Sequence, residues 1–329
     1  MTTVAEPRVV RSNPTAGYFA VQLHMLRRLQ NSTADLFVQY EPHCEPVLYH
    51  RGGCPLEPEQ INKLTDASIQ QIYIRSEDFQ QFGAHLLASV DNHPAHEQIP
   101  AAERFAVLQV ALAVEIEQVS RLVDCGPFVS LAQKVGPELI ALMSQSTVLP
   151  RDLFRLARHD FNTFTHVTNV AGYAVILSER LGLCDEAGLE QIASAAILHD
   201  IGKRFIPANI LTKPAKLDPE ERAIIETHPQ RGYEELCERP DMTFEQLMMV
   251  YQHHERMDGK GYPVGLQGEE IHPWGRMLAV VDVFDAMTAI RPYRRPATAQ
   301  EAMEYIRQSA GTHFDPEVVA CWDATMSKS

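Results

Sequence analysis

The sequence predicts a mainly α-helical protein, in which an all-helical C-terminal bundle follows a small α+β N-terminal module. Apolar residues recur at intervals of three and four from about residue 150 to the end, which is the period of a helix packed on one side. Short β-like runs occur only in residues 1–92, and a polar stretch with two prolines follows at 91–103. These observations predict three regions: a module over 1–92, a connector with linking helices over 93–149, and the bundle over 150–329.

The N-terminal module combines three β-like runs with one helical pattern. The runs are at 34–41, 46–53 and 70–78, and the helical pattern lies at 56–69, with acidic residues near its start. We found no motif for catalysis in this module. Its position alone suggests a regulatory or docking role.

The C-terminal region contains successive amphipathic segments, which predict separate helices. They are HVTNVAGYAVILSERLG, LEQIASAAILHDIG, EERAIIETHPQRGYEEL, TFEQLMMVYQHHER, GRMLAVVDVFDAMTAI and TAQEAMEYIRQSA. The glycines that end the first two segments are typical of helix C-caps.

Composition excludes some classes of function. The formal net charge of −14 over 329 residues argues against a nucleic acid polymer as partner, because such binding needs a basic surface. No apolar run approaches the length of a membrane span, and the N-terminus lacks a secretory pattern. The six cysteines form no CxxC pair, which fits free thiols in a reducing compartment. We therefore expect a cytoplasmic protein.

Histidine and aspartate lie at the ends or in the apolar interior of several predicted helices. The positions are His199-Asp200, His228, His253-His254 and Asp282. Each alone has a simpler explanation: adjacent histidines can be surface residues, and a lone aspartate in an apolar helix is often a hydrogen-bond acceptor. Together they indicate one polar site inside a helical bundle. Metal sites in bundle cores are built in this way, from side chains on facing helices.

Imidazole and carboxylate ligands without thiolate suit iron, manganese, cobalt, nickel or zinc, and do not choose among them. Adjacent helical residues point about 100° apart. Two ligand doublets therefore favour two ions about 3.5–4 Å apart, an arrangement suited to phosphodiester hydrolysis. Lys203 follows His199 by four residues and would share its face if the helix continued. It could then point at water or phosphate in the site, or be a solvent-exposed lysine beyond the helix end.

The motifs HDIGK at 199–203, HHERMDGKGYP at 253–263 and RPYR at 291–294 together resemble the HD-GYP domain. The resemblance covers about residues 150–322. That family belongs to the HD superfamily of metal-dependent phosphohydrolases, and its members hydrolyse the bacterial second messenger cyclic di-GMP. The resemblance implies a cyclic di-GMP phosphodiesterase that yields linear pGpG, GMP or both.

The family's metal ligands match seven positions in this chain, which are His166, His199, Asp200, His228, His253, His254 and Asp282. Asp200 corresponds to the aspartate that bridges two ions. Iron and manganese are expected first, with nickel, cobalt and zinc as alternatives.

The resemblance also implies residues that act on the substrate. Lys203 matches a lysine beside the metals and the scissile phosphate, and is expected with Asp200 to carry catalysis. Arg291 and Arg294 match cations that hold phosphates, for which a forked guanidinium is well suited. Asp285 faces the same side as Asp282 and is expected to contact the substrate or support the site. Tyr262, on a loop beside the metals, could contact a guanine base, the neighbouring loop or a protein partner.

One position departs from the family pattern. Some relatives carry a glutamate four residues before the histidine that matches His166, where it helps bind a third metal. Here the position is Asn162, a weaker ligand, so we predict two metals. His159 and Asp160 are nearby residues that could compensate. A two-metal enzyme could stop at the linear product.

Two other functions stay open from the sequence. One is a slow or inactive domain that binds cyclic di-GMP or docks partners such as diguanylate cyclase domains or other signalling proteins. The other is a phosphohydrolase for another cyclic or mononucleotide substrate. A homodimer is a further expectation for the assembly.

Overall fold

The structure, a computed structural model, describes residues 17–23, 26, 31–41, 44–69, 71–75, 77–78, 81–82, 85, 125–143, 163–211, 213, 215–289 and 295–327. The chain divides into two units, Met1–His96 and Glu97–Ser329. The predicted mainly α fold class is confirmed. Across the described residues, none of the helices combines the length and apolar character that crossing a membrane requires.

The described residues of the N-terminal unit include a four-stranded antiparallel sheet and a helix that follows its third strand. Its elements are β1 (Tyr18–Gln22), β2 (Leu36–Val38), β3 (Val47–His50), α1 (Pro58–Asp66) and β4 (Gln71–Arg75), and the strand order is β1-β4-β2-β3. The two isoleucines of β4 are fully buried and alternate with more exposed residues, as expected for a sheet with one packed face.

Strand β1 was absent from the sequence-based prediction, although it pairs with β4 along its full length, from Tyr18 opposite Arg75 to Gln22 opposite Gln71. The other three strands and α1 lie inside the predicted segments and are shorter than them. Helix α1 begins at a proline and is capped by reciprocal hydrogen bonds between Glu57 and Gln60. The apolar run that contains β1 lacks flanking turn residues on its C-terminal side, so its extent was not evident.

Ten α-helices are described in the second unit. They are α2 (Gly126–Met143), α3 (Thr163–Leu181), α4 (Glu186–Leu198), α5 (Ala208–Leu211), α6 (Pro219–Ile225), α7 (His228–Leu236), α8 (Phe244–Gln252), α9 (Pro273–Thr288), α10 (Ala299–Gln308) and α11 (Pro316–Ser327). Short 3₁₀ helices at Ile201–Phe205 and Gly268–Glu270 lie between them.

Helix α4 is at the centre of this unit. It packs against α2, α3 and α8, and its residues from Ile192 to Leu198 are all buried. Apolar character on every side is what a fully enclosed helix requires. Helices α3, α9 and α11 meet at a cluster of three aromatic side chains, Tyr173, Phe284 and Trp322, whose ring centroids are 5.4–5.7 Å apart. This rigid core carries the helix ends described below.

Two details of the predicted helices were wrong. The segment 220–236 forms two helices, because Pro229 cannot donate a backbone hydrogen bond and therefore starts α7 within its first turn. Helix α4 ends at Leu198, and the chain continues as a 3₁₀ helix. The condition for Lys203 to share the α-helical face of His199 is therefore not met.

Candidate metal centre

Seven histidine and aspartate side chains converge from five helices. His166 lies in the first turn of α3, and Asp282 lies in the middle of α9. The others stand at helix ends: His199 and Asp200 after α4, His228 at the start of α7, and His253 and His254 after α8. Helix ends position these rings because the chain changes direction there while the preceding turn stays packed in the core.

The seven side chains form two clusters. The His166 cluster consists of His166, His199 and Asp282. The His228 cluster consists of Asp200, His228, His253 and His254. Within each cluster, one potential ligand atom from each residue lies within 4.8 Å of all the others. This grouping brings together all seven residues that the sequence predicted as metal ligands.

The Asp200 carboxylate lies between the two clusters. Its Oδ1 atom is 3.2 Å from His228 Nε2 and 3.8 Å from His253 Nε2. Its Oδ2 atom is 3.4 Å from His199 Nε2 and 3.7 Å from His166 Nε2. One oxygen therefore faces each cluster, as a ligand that bridges two ions would.

Hydrogen bonds on the far side of the imidazole rings fix which nitrogen faces the centre. In His199, His228 and His253, Nδ1 lies 2.6–2.8 Å from the carbonyl oxygen of the residue three positions earlier. Nδ1 must carry the proton there, because a carbonyl oxygen can only accept. Nε2 is then left with a lone pair that points into the cluster, as metal ligation by histidine requires.

Several buried atoms in the centre match the needs of a cation. The Nε2 atoms of His228 and His253 are 3.3 Å apart, so two lone pairs face each other when both rings carry their proton on Nδ1. His199 Nε2 and Asp200 Oδ1 are buried with no hydrogen-bond partner in the described part of the chain. Such groups are costly in an interior unless something positive satisfies them. The residues therefore fit divalent metal ions.

Protonation in the centre follows from burial and from the paired charges. Burial lowers the pKa of His254 to about 3, which keeps that ring neutral. Burial also disfavours protonation of His166, but Asp282 and Asp285 outweigh it and raise the pKa of His166 to about 10. A divalent cation would compete with the proton that these carboxylates attract, so metal binding there would release a proton.

Lys203 reaches the centre through the 3₁₀ turn. Its Nζ donates a hydrogen bond of 2.5 Å to Asp200 Oδ2, and its side chain is one-third exposed. Burial opposes ionisation of Asp200, but the charge of Lys203 outweighs it and holds the pKa of Asp200 well below its ordinary value. The lysine thus combines contact with the central carboxylate and access to solvent.

Gly202 allows this turn to lie directly on α7. A Cβ atom at this position would come within 2.0 Å of the His228 carbonyl oxygen and 2.6 Å of the Gly232 nitrogen. Both are backbone atoms, which cannot move aside as the end of a flexible side chain could. Glycine here lets the turn with Lys203 and the first residue of α7 share one side of the centre.

Asp285 lies behind His166. Its Oδ2 accepts a hydrogen bond of 2.8 Å from His166 Nδ1, and its Oδ1 accepts one of 2.9 Å from Asn169 Nδ2. The carboxylate is almost fully buried. Of the two roles considered for Asp285, this geometry favours orienting a metal ligand over contacting a substrate. Asn169 was not anticipated, although an asparagine three residues after a ligand histidine on a buried helix is a recognisable signal.

Tyr262 packs on the centre. Its ring lies 4.8 Å from that of His254 at an interplanar angle of 30°, and 6.3 Å from that of His228. Its backbone N–H donates to the His254 carbonyl oxygen at 3.2 Å. Three contacts were considered for Tyr262. The structure shows the one with the neighbouring loop, at His254.

The two glycines before Tyr262 serve different purposes. Gly259 has a φ of +72°, which favours glycine. Gly261 does not have a positive φ. It is required by close packing, because a Cβ would come within 2.5 Å of the Glu255 Cα and the Arg256 nitrogen.

Glu255 anchors the loop that carries Tyr262. Its two carboxylate oxygens accept hydrogen bonds of 2.7–3.1 Å from the backbone N–H groups of Val264, Gly265 and Leu266. The side chain is 2% exposed. Asp258 likewise accepts bonds within its own turn, from Arg256 and the Lys260 N–H. Both acids thus hold the loop, and neither belongs to the two clusters of ligand atoms.

We expect Glu255→Gln to loosen this loop without removing metal. An amide offers one acceptor oxygen to the three N–H groups, so the loss of charge-assisted bonds should lower the free energy of unfolding by about 1–3 kcal/mol. Amide hydrogen exchange at Val264, Gly265 and Leu266 should accelerate. The exposed Glu269→Gln is the matched control. Unchanged exchange at the three amides, or loss of bound metal, would contradict the anchoring role.

Some predicted site residues lie outside the described residues. They are Arg291 and Arg294, expected to hold phosphate, and Asn162, His159 and Asp160, which bear on a third metal. Their roles remain predictions.

Comparison with known proteins identifies the family. A family model described as an HD domain matches residues 149–318, which is just over half of the chain and contains all seven clustered residues. The chain belongs to the HD-GYP family of HD-domain proteins. The resemblance drawn from HDIGK and HHERMDGKGYP is thereby confirmed.

Two similar proteins and one solved structure extend the match. This HD-GYP protein is 31% identical over 317 residues to a cyclic di-GMP phosphodiesterase of Pseudomonas aeruginosa, which covers 89% of this chain and 75% of that protein. It is 39% identical over 195 residues to the cyclic di-GMP phosphodiesterase response regulator RpfG of Xanthomonas campestris, over 57% of this chain. The chain spans about half the length of RpfG, 51%.

The solved structure shows the same fold over nearly the whole chain. It is an HDG"Y"P protein from Bdellovibrio bacteriovorus, with a TM-score of 0.58 and 18% sequence identity. The alignment covers 94% of this chain and 99% of that one. At this identity the likeness concerns the fold alone.

Proposed function

We propose that this HD-GYP protein is a metal-dependent phosphodiesterase that hydrolyses cyclic di-GMP at a two-metal site. The single observation that carries the proposal is the Asp200 carboxylate, which presents one oxygen to each of two clusters of ligand atoms. The names of the relatives from Pseudomonas aeruginosa and Xanthomonas campestris support the same substrate.

Each cluster would hold one divalent ion, with Asp200 shared between them. Bound ions supply Lewis acidity toward phosphate oxygens and make water easier to deprotonate. Lys203 would donate from Nζ to a non-bridging phosphate oxygen. One-third of its side chain is exposed, so a bound substrate could reach Nζ. Asp285 would keep His166 in one orientation while the charge at the phosphate changes. Iron and manganese are the proposed ions.

The remaining substrate contacts are proposed for residues of the RPYR and HHERMDGKGYP motifs. Arg291 and Arg294 would hold phosphate oxygens by forked hydrogen bonds. Tyr262 would present its partly exposed ring to a guanine base while its loop is held by Glu255. With Asn162 in place of a third-metal ligand, the main early product would be linear pGpG.

Product analysis after metal loading tests the proposal. The protein is purified anaerobically, its iron and manganese are measured, and cyclic di-GMP is added. We expect turnover with pGpG as the first product and slower formation of GMP. Tight binding of cyclic di-GMP without turnover under iron or manganese would contradict the activity. GMP as the main early product would contradict the proposal that this two-metal site releases pGpG first.

A further inference from the structure

A charged pair lies beside the His228 cluster at the end of α6. Arg222 Nε donates a hydrogen bond of 2.7 Å to Glu226 Oε1, and Glu226 stands two residues before the ligand His228. The side chains are 72% and 32% exposed, respectively. An exposed pair of this kind contributes only about 0–1 kcal/mol to stability. These exposed fractions leave both side chains accessible next to the His228 end of the centre, which we call the rim.

The pair acts electrostatically on Tyr262. Burial raises the pKa of the Tyr262 phenol, and the carboxylates of Asp282, Asp200 and Glu226 raise it further, while Arg222 acts in the opposite direction. The Tyr262 ring also lies 6.3 Å from that of His228, the ligand that follows Glu226. His228 thus connects the Arg222–Glu226 pair, which precedes it in the chain, with the Tyr262 ring beside it.

Each member of the pair has hydrogen-bonding atoms left over. In the part of the chain that the structure describes, the side-chain bonds of Arg222 and Glu226 use only Nε and Oε1. Glu226 Oε2 can accept, and the hydrogen bond from Arg222 Nε to Oε1 orients the carboxylate. A carboxylate that is fixed on one side and open on the other is suited to receive adjacent donors.

Guanine and adenine differ on the edge that such a carboxylate would meet. Guanine presents two neighbouring donors, the N1 hydrogen and the N2 amino group, whereas N1 of adenine is an acceptor. A carboxylate accepts from both guanine groups, but its lone pairs repel adenine N1. Sites built to hydrogen-bond a substrate group reject an analogue that lacks it much more strongly than apolar pockets do.

We infer that Glu226, oriented by Arg222, is a specificity-determining residue that selects guanine at the base position next to Tyr262. The inference rests on the proposed function, since it requires a cyclic dinucleotide to occupy the centre. It narrows the substrate class to dinucleotides that place at least one guanine at this rim.

Binding of cyclic di-GMP and cyclic di-AMP to the metal-loaded full chain tests the inference. Dissociation constants are compared for the wild type, Glu226→Gln, Arg222→Gln and the control Glu220→Gln, an exposed glutamate on the same helix. We expect the wild type to prefer cyclic di-GMP. Glu226→Gln should reduce this preference at least about tenfold, Arg222→Gln should reduce it less, and Glu220→Gln should leave it unchanged. Metal content should be the same in all four.

Three results would overturn the inference: no base preference in the wild type, an unchanged preference in Glu226→Gln, or an equal loss of both ligands in Arg222→Gln, which would make the pair a phosphate contact. Hydrolysis by the wild type is measured separately. If the wild type binds with guanine preference but does not hydrolyse, the proposed activity fails while the role of Glu226 stands.

Discussion

Asp200→Ala is expected to lose both metal ions and at least about 1000-fold in turnover of cyclic di-GMP. Its two oxygens face different clusters, so the substitution would remove one ligand from each of the two proposed ions. A partner that only orients a metal ligand typically contributes roughly 10–100-fold, and a shared ligand should exceed that. The variant also leaves the Lys203 ammonium without its carboxylate partner. Elemental analysis and a product assay on the same sample measure both effects.

Asp323→Ala is the matched control for this variant. Asp323 pairs with Arg307 at 3.2 Å, away from the centre, and its side chain is 39% exposed. It should keep wild-type metal content and turnover. Retention of two ions per chain by Asp200→Ala would refute the bridging role, even if turnover fell.

Lys203→Ala is expected to keep both metals and lose about 100-fold in kcat. Removal of one preorganised donor to a developing negative charge typically costs about 100–1000-fold, and Lys203 is partly exposed, which places it at the lower end. Its contact with Asp200 Oδ2 is a hydrogen bond that the ions themselves would replace. The measurement is kcat and KM for cyclic di-GMP, with metal content determined in parallel.

Lys213→Ala is the control for Lys203→Ala. Lys213 lies ten residues later in the same segment, has a similar side-chain exposure of 29%, and pairs with Glu221 instead of the centre. Its turnover should match the wild type. Loss of metal from Lys203→Ala would show that the lysine serves to hold Asp200, and unchanged turnover would remove it from catalysis.

The sequence indicated the ligands better than the surrounding geometry. Residue types on the predicted helices indicated six of the seven clustered residues, and the resemblance to the HD-GYP family added His166. Periodicity could not reveal that Asp200 points one oxygen at each cluster, since that depends on where α4 ends. It also could not reveal the break between α6 and α7, where a proline overrides a continuous amphipathic pattern.

The supporting contacts were the hardest to predict. Glu255 accepts bonds from N–H groups nine to eleven residues later, and Asp285 reaches across to His166 over 119 positions. Neither contact can be predicted from a local sequence pattern, because its two partners are separated along the chain. The need for Gly261 is also tertiary, because the neighbouring backbone, and not its own dihedral angle, excludes a side chain. Strand β1 is known only through its pairing with β4.

Metal titration tests the central claim most directly. Protein stripped by a chelator is reconstituted anaerobically with measured equivalents of manganese, and hydrolysis of cyclic di-GMP is followed at each step. If Asp200 joins two ions in one catalytic site, activity should stay low up to one equivalent and reach its plateau at two. Full activity at one equivalent, or no activity with two ions bound, would contradict the two-metal site.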